Sequence, residues 1–392
     1  MTWPMVKLGD VIEFIRGITF KPTDVVAPFT HDSIVVMRTK NVQVAGLDCA
    51  DLISVPRTFM KREEQKLKHG DLLISSANSW ELVGKTSFVG KLDYEATAGG
   101  FISIVRAKKS KIEPKYLYYW IISPDTQHSI RHLGKQTTNI SNLDVARFKE
   151  LDIPLPPLEE QKRIAAILDK ADAIRQKRQQ AIALADDFLR SVFLDMFGGD
   201  ILSENNVVSL GDVVTLDAPM VDPREDMYAD LLHIGPDRIE KNTGRLLPAL
   251  TAKEEGLISK KFLFNDEYVL YSKIRPYLKK VAISNFTGLC SADMYPVKPI
   301  DGKTTKEFIW MLLLSDLFDS YVKSLAERAN IPKLNRKELA AFRFALPDFK
   351  KIESFTNIVK KTTELKNSNQ SSYTNFEKIF NSLSRKAFAG QL

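Results

Sequence analysis

Near the middle of the chain, apolar side chains recur every three or four positions between two sets of strong punctuation. Ile164, Leu168 and Ala171, then Ile182, Ala185, Leu189, Val192 and Met196, keep this spacing, which is that of one helix face. Pro156-Pro157 bars a helix from starting earlier, and Gly198-Gly199 ends it. Glu159 and Glu160 lie in the first turn, where the helix dipole favours negative charge. The pattern predicts a helix of about forty residues, spanning roughly 58 Å at about 1.5 Å per residue. Such a length exceeds the interior of an ordinary domain and predicts a strut.

A weaker copy of the same pattern recurs 191 residues later. Ile153-Pro154-Leu155-Pro156 falls on Phe344-Ala345-Leu346-Pro347, Ile164 on Phe355, Phe197 on Phe388 and Gly199 on Gly390. A second strut is therefore predicted on Ile352, Phe355, Ile358, Leu365, Phe376, Ile379 and Leu383, although its middle, residues 367–372, is poor in helix formers. Upstream, Asn139-Ile140 with Leu143 matches Asn330-Ile331 with Leu334. Leu8-Gly9-Asp10-Val11 matches Leu210-Gly211-Asp212-Val213 at a shift of 202. The chain reads as a tandem repeat of one plan, a globular segment and then a long helix. The predicted boundaries are 1–154, 155–199, 200–346 and 347–392.

Each globular segment mixes short strands with helices, an α/β or α+β pattern. In the first, strands are expected at 34–37, 72–74 and 101–105, a charged helix at 59–68 and an aromatic-rich helix at 116–122. Polar loops come after two of the strands, Arg38-Thr39-Lys40-Asn41 and Ser75-Ser76-Ala77-Asn78-Ser79-Trp80, and a third, residues 134–139, precedes the strut. The second keeps the order but changes the loops, with Ser272-Lys273-Ile274-Arg275-Pro276-Tyr277 after its strand at 268–271. A kept apolar framework under altered polar loops is how two readers of different targets are built, and it is equally how loops drift.

Composition narrows the class. An apolar fraction of 44% supports real cores. The apolar run 308–314 is far too short to cross a bilayer, and no signal peptide is apparent. Cys49 and Cys290, one per repeat and without metal-ligand spacing, are expected as reduced, buried thiols. The net charge of +7 is uneven: residues 1–157 carry 21 basic and 17 acidic side chains, residues 198–347 carry 20 and 21. A polyanion-binding surface on the second segment must therefore be a local patch.

Catalytic signatures fail. Gly84-Lys85-Thr86 resembles the end of a phosphate-binding loop, but Ser79 stands where a Gly is required. No Asn/Asp-Pro-Pro-aromatic tetrapeptide and no Gly-x-Gly after a strand marks a methyl-donor site. Glu113-Pro114-Lys115 has nuclease-like spacing, yet Pro114 would break the strand it needs. His31, His69, His128, His132 and His233 are scattered, and His128 with His132 reads as a solvated pair rather than a metal site. No catalytic residue, metal site or cofactor is assigned to the chain.

The run Ile153-Pro154-Leu155-Pro156-Pro157-Leu158-Glu159-Glu160-Gln161-Lys162-Arg163-Ile164, continuing to Ile167-Leu168-Asp169, resembles the central region of specificity subunits of type I restriction–modification systems. Gly70-Asp71-Leu72-Leu73-Ile74-Ser75-Ser76 and Lys273-Ile274-Arg275-Pro276-Tyr277-Leu278 look like recurring stretches of that family's target-recognition domains. The second strut departs, lacking the Pro-Pro-Leu-Glu-Glu-Gln start of the first and reading Pro347-Asp348-Phe349-Lys350-Lys351 instead. The resemblance implies two target-recognition domains separated by two long antiparallel helices in a coiled coil with pseudo-twofold symmetry. Each domain would read half of a bipartite duplex DNA target, and helix length would set the unread spacer. With centres aligned, residues 175–180 are expected to face residues 366–372 as a polar layer.

Base reading calls for Arg, Lys, Asn, Gln, Ser and Thr on loops. The candidates are Arg38, Lys40, Asn41, Ser76, Asn78, Gln136 and Thr138 in the first domain, and Arg238, Lys241, Asn242, Lys273, Arg275, Arg328 and Lys333 in the second. The resemblance further implies two methyltransferase subunits carrying S-adenosylmethionine, two optional translocase/nuclease subunits and a cytoplasmic setting without membrane contact. Glu159, Gln161, Ile164, Leu168, Ile182 and Leu189 are the candidate docking residues for the partner subunits. The alternatives are a protein-only scaffold and the recognition half of a DNA methyltransferase or nuclease.

Overall fold

The computed structural model describes residues 3–44, 46–133, 135–136, 140–326 and 333–392. These form two compact units, Met1–Gln179 with Gln370–Leu392, and Gln180–Asn369. Each unit takes half of each of two forty-residue helices, Leu158–Phe197 and Phe349–Phe388.

In the first unit an antiparallel sheet runs in the order Ile12–Arg16, Ile102–Ala107, Leu72–Ser75, Thr86–Phe88. A second sheet orders Ala96–Ala98, Ser33–Met37 and Ile53–Pro56, its first pair parallel. The helix Pro114–Ile122 buries every residue from Tyr116 to Ile121, as a helix apolar all round must. It shares a core with Leu72, Ile74 and Val105 of the sheet and with Ile164, Leu168 and Phe380 of the long helices. Polar anchors fix its orientation. The Tyr116 hydroxyl donates to Pro154 O at 2.7 Å, the Tyr119 hydroxyl donates to Asp169 at 2.8 Å, and Lys115 pairs with the same carboxylate.

The second unit repeats this plan. Its antiparallel sheet orders Val214–Thr215, Met294–Pro299, Val269–Ser272 and Val281–Ile283, and the buried helix Lys306–Leu314 stands where Pro114–Ile122 stands in the first. Phe193, Phe197, Phe308 and Phe355 pack ring to ring between this helix and the halves of the long helices in the unit, at centroid distances of 5.1–5.7 Å. The repeat holds at the level of register. Val6 faces Ile153 as Val208 faces Phe344. Leu8 N–H donates to Leu151 O at 2.8 Å as Leu210 N–H donates to Phe342 O at 2.7 Å.

Within each unit its two half-helices run antiparallel. In the first, Arg163 reaches Leu392 O at 2.9 Å while Arg175 lies 4.9 Å over the Phe380 ring. In the second, Asp186 pairs with Lys366, and Lys351 lies 5.7 Å over Phe197. The polar layer expected from aligned centres is therefore displaced: Arg175 meets Phe380 and Lys366 meets Asp186. Register is set by the aromatic and apolar seam rather than by helix centres.

Three further expectations are corrected. Residues 59–68 form only two short 3-10 turns, Arg57–Phe59 and Glu63–Gln65. Their backbone is engaged elsewhere: the Gln65 side chain accepts from the Lys61 and Arg62 N–H groups, and Leu67 N–H donates to Ala96 O. Residues 367–372, poor helix formers, lie inside an unbroken helix, because tertiary packing on either side outweighs propensity. Cys290 is buried, and burial pushes its thiol pKa up, but Cys49 is exposed.

Candidate nucleic-acid interface

The chain leaves each central sheet at the end of one strand and is caught by the same main-chain hydrogen bonds in both units. After Leu72–Ser75, Ser76 N–H donates to Phe101 O at 2.9 Å and Ser76 O accepts from Leu143 N–H at 2.9 Å. After Val269–Ser272, Lys273 N–H donates to Asp293 O at 3.1 Å and Lys273 O accepts from Leu334 N–H at 2.9 Å. One residue back, Ser75 N–H is held by Lys85 O at 2.8 Å and Ser272 N–H by Lys280 O at 3.0 Å. Ser76 and Lys273 thus occupy one position of a shared frame, and Asn78 and Arg275 another. What differs is the chemistry presented, hydroxyl and amide in the first unit, cations in the second.

In the first unit the frame extends into a small sheet. Asn78 pairs with Ser141, and Ser141 with Gln136, so three backbone positions form one cross-strand row. Ser76 Oγ accepts from Ser103 Oγ at 3.1 Å, and the Asn78 amide donates to Ser75 Oγ at 3.1 Å. Thr138 lies outside the described residues, as does the side chain of Gln136. Arg38, Lys40 and Asn41 come after the strand Ser33–Met37, whose Met37 O accepts from Gly99 N–H at 2.9 Å, two residues before the Phe101 that clamps Ser76. The two loops therefore flank one turn. Asn41 is 1% exposed and serves the loop itself: its Oδ1 accepts from Arg38 N–H, and its amide donates to Asp48 O and Asp51 O. Arg38 and Lys40 both pair with Asp51, and burial lowers the Arg38 pKa.

In the second unit Arg275 is exposed, in a left-handed conformation at φ 48°, immediately before Pro276. Ile274 bridges to Lys333 across the frame, bringing that exposed lysine alongside. The Lys273 ammonium is committed to Ala292 O and to the Tyr295 ring, 5.4 Å away. Arg336, absent from the sequence-based candidates, shares that ring at 5.9 Å. Its signal was its place three residues after Lys333, opening a helix capped by Asn335. These four cations make the local basic patch that a segment of nearly zero net charge requires. Arg238 is engaged by Pro248 O at 2.9 Å and Asp237 at 3.1 Å, whereas Lys241 and Asn242 are exposed on a loop that Lys280 ties down through Pro236 O. Arg328 lies outside the described residues. Among the described residues no group of three or more His, Cys, Asp or Glu is placed to hold a metal ion, and no helix is long and apolar enough to cross a membrane.

The candidate docking residues separate sharply. Glu159 is exposed, paired with Lys162 at 2.7 Å. Gln161, 1% exposed, is locked into its own unit: its amide donates to Pro156 O at 2.8 Å and Lys111 O at 3.3 Å, and its Oε1 accepts from Glu113 N–H at 2.8 Å. Ile164, Leu168 and Leu189 are buried in the cores of their own units, and Ile182 is half-buried. Among the apolar positions left open on the long helices, Leu184, Phe188, Leu194 and Leu365 are each more than half exposed.

Residues 1–184 match the family model described as the type I restriction modification DNA specificity domain. The EcoDI specificity subunit of Escherichia coli is 27% identical over 315 residues, covering 70% of this chain and 69% of its own length. Residues 1–184 of this chain therefore carry the DNA specificity domain of type I restriction–modification systems. A putative specificity subunit of Methanocaldococcus jannaschii, MjaX, is 24% identical over 386 residues, covering 93% of this chain and 87% of its own. With the StySPI specificity subunit of Salmonella potsdam, identity is 30% over 202 residues, half of this chain and 43% of that relative's length. The crystal structure of an S subunit from M. genitalium shares the fold, with a TM-score of 0.58 at 13% identity over 99% of this chain and 96% of that one.

Proposed function

We propose that this chain, as a specificity subunit, reads a bipartite duplex DNA target without catalysing any step itself, one half-site per unit, while its long helices fix the number of unread base pairs. The observation that carries this reading is the shared main-chain frame, which presents Ser76 and Asn78 in one unit and Lys273 and Arg275 in the other. A fixed frame with exchanged polar side chains suits two readers of different sequences, because base identity is discriminated by side chains at base edges. Lys40, Lys241, Lys333 and Arg336 are assigned to phosphates or base edges around these centres. Two methyltransferase subunits, carrying S-adenosylmethionine, dock on the long helices through Glu159 and the open apolar positions Leu184 and Phe188, and two translocase/nuclease subunits join when the system restricts. The complex works in the cytoplasm.

Co-expression with a cognate methyltransferase subunit, and then mapping of methylated adenines across the genome, tests the reading. The expected product is a two-part asymmetric motif with a constant spacer, and removal of seven residues from each long helix changes the spacer while leaving both halves intact. Methylation by this chain alone contradicts the non-catalytic assignment. A stable complex that methylates nothing favours a protein-only scaffold.

A further inference from the structure

The loop after each reading strand carries one more shared feature. Five residues beyond the last strand residue, Ser75 or Ser272, stands an aromatic side chain, Trp80 in the first unit and Tyr277 in the second. One main-chain hydrogen bond recurs around the two, although the loops differ in length and in backbone angles. Leu82 N–H donates to Ser79 O at 3.0 Å and Lys279 N–H donates to Pro276 O at 2.9 Å, so each ring is the second residue of a tight turn. The four residues before the rings share nothing: Ser-Ala-Asn-Ser in one loop, Lys-Ile-Arg-Pro in the other.

Both rings face solvent, Trp80 at 38% and Tyr277 at 53% exposure, and neither belongs to a core cluster. Both are also held. The Trp80 ring meets His132 edge-on at 6.0 Å, and His132 in turn lies 4.2 Å from His128. Tyr277 comes directly after Pro276, whose φ is fixed by its ring, and left-handed Arg275 and Lys279 bracket the turn at φ 48° and 47°. Core packing does not explain two exposed, positioned rings at one site of a duplicated frame.

Their retention beside divergent neighbours carries the argument. Contacts that read base identity must differ between units with different half-sites. A contact with base faces need not, because every base has a π-face and stacking is tolerant of sequence. Apolar side chains that enter a base step partly unstack it and kink the duplex. We propose that Trp80 and Tyr277 are a matched pair of duplex-deforming contacts, each inserting its ring at a base step of the half-site read by its own unit. This rests on the DNA-reading assignment above.

The test uses the chain assembled with its methyltransferase subunits and duplexes in which 2-aminopurine is walked across each mapped half-site. Binding is expected to raise the fluorescence at one step per half-site. Trp80→Ala abolishes the first signal and leaves the second, and Tyr277→Ala does the reverse. Trp80→Phe and Tyr277→Phe keep both signals. Each alanine variant weakens binding by about 5- to 150-fold, the range of a lost base–aromatic stack. The slope of log affinity against log salt is unchanged, since no phosphate contact is removed. A flat 2-aminopurine profile, or a salt slope reduced by about one in the alanine variants, overturns the proposal while leaving DNA reading intact, provided that Arg275→Ala still weakens binding. If Arg275→Ala and Asn78→Ala are also without effect on binding, the reading assignment itself fails, and this proposal with it.

Discussion

Replacing Gln161 by alanine separates the two roles that its position suggests, docking a partner and closing its own domain. The side chain makes two hydrogen bonds at 2.8 Å and one at 3.3 Å, all to main-chain groups of residues 111, 113 and 156. Truncation leaves the Glu113 N–H and two carbonyls without their partner in a site where Gln161 itself is 1% exposed. Each orphaned buried group costs about 1–3 kcal/mol. Counting the two short bonds in full and discounting the long one gives about 3 kcal/mol, on the order of 100-fold in the unfolding equilibrium. For a unit of this size that lowers the melting temperature by about 6–12 °C. Thermal unfolding with hydrogen exchange on peptides covering residues 108–118 reads the effect directly, because the Glu113 amide loses its acceptor. The matching segment of the second unit, residues 300–310, is the internal control and should not change. Glu159→Ala, at an exposed site, should stay within about 0.5 kcal/mol of the wild type. An unchanged melting temperature in Gln161→Ala combined with lost methyltransferase association would falsify the structural role and restore the residue to the docking surface.

Arg275→Ala is expected to weaken binding to the cognate duplex by about 1–3 kcal/mol and to relax the sequence preference in one half-site only, as read by methylation mapping. Asp71 is buried and accepts from Arg106 Nε and Nη2, both at 2.8 Å, and from Lys68 N–H at 2.7 Å. Asp71→Ala should therefore destabilise the first unit by about 3–5 kcal/mol in denaturant titration without altering the Trp310 signal from the second. At Asp169, burial opposes ionisation, but hydrogen bonds from Lys115 and Tyr119 prevail and hold the carboxyl below its ordinary pKa. Its stabilising contribution is complete above the unfolded-state value, near pH 4, and is lost as pH falls through the depressed folded value. Acid unfolding of Asp169→Asn should accordingly show a shallower pH dependence below about pH 4, and an unaltered profile counts against the Lys115–Tyr119–Asp169 anchor.

The long helices and the repeat were legible because their signals are local. Proline and glycine pairs bound the first helix, and a three-to-four periodicity runs through both. The strand at 72–75 and the helix at 114–122 were equally plain from continuous apolar runs. What failed depended on partners distant in the chain. Periodicity marks Ile164, Leu168 and Leu189 as covered but does not say by what, and their own units cover them. Residue type placed Asn41 among the readers, whereas its burial is decided by the Asp48 and Asp51 carbonyls that it binds. Arg336 was missed because its link to Lys273 runs through Tyr295, 41 residues earlier in the chain than Arg336. The charged stretch at 59–68 looked helical alone and is not, because Gln65 and Leu67 bond across the unit.

The clamps at Ser76 and Lys273 are built from amide and carbonyl groups alone. Every residue type except proline supplies both groups, so the frame places almost no demand on the identity of the side chains it displays. The main-chain clamp and recognition are thereby uncoupled at this position. A serine stands in one unit where a lysine stands in the other, and the same main-chain bonds close over both. Selection can then rewrite the target one substitution at a time, without the compensating changes in the core that new specificity demands in proteins whose binding residues also hold the structure together.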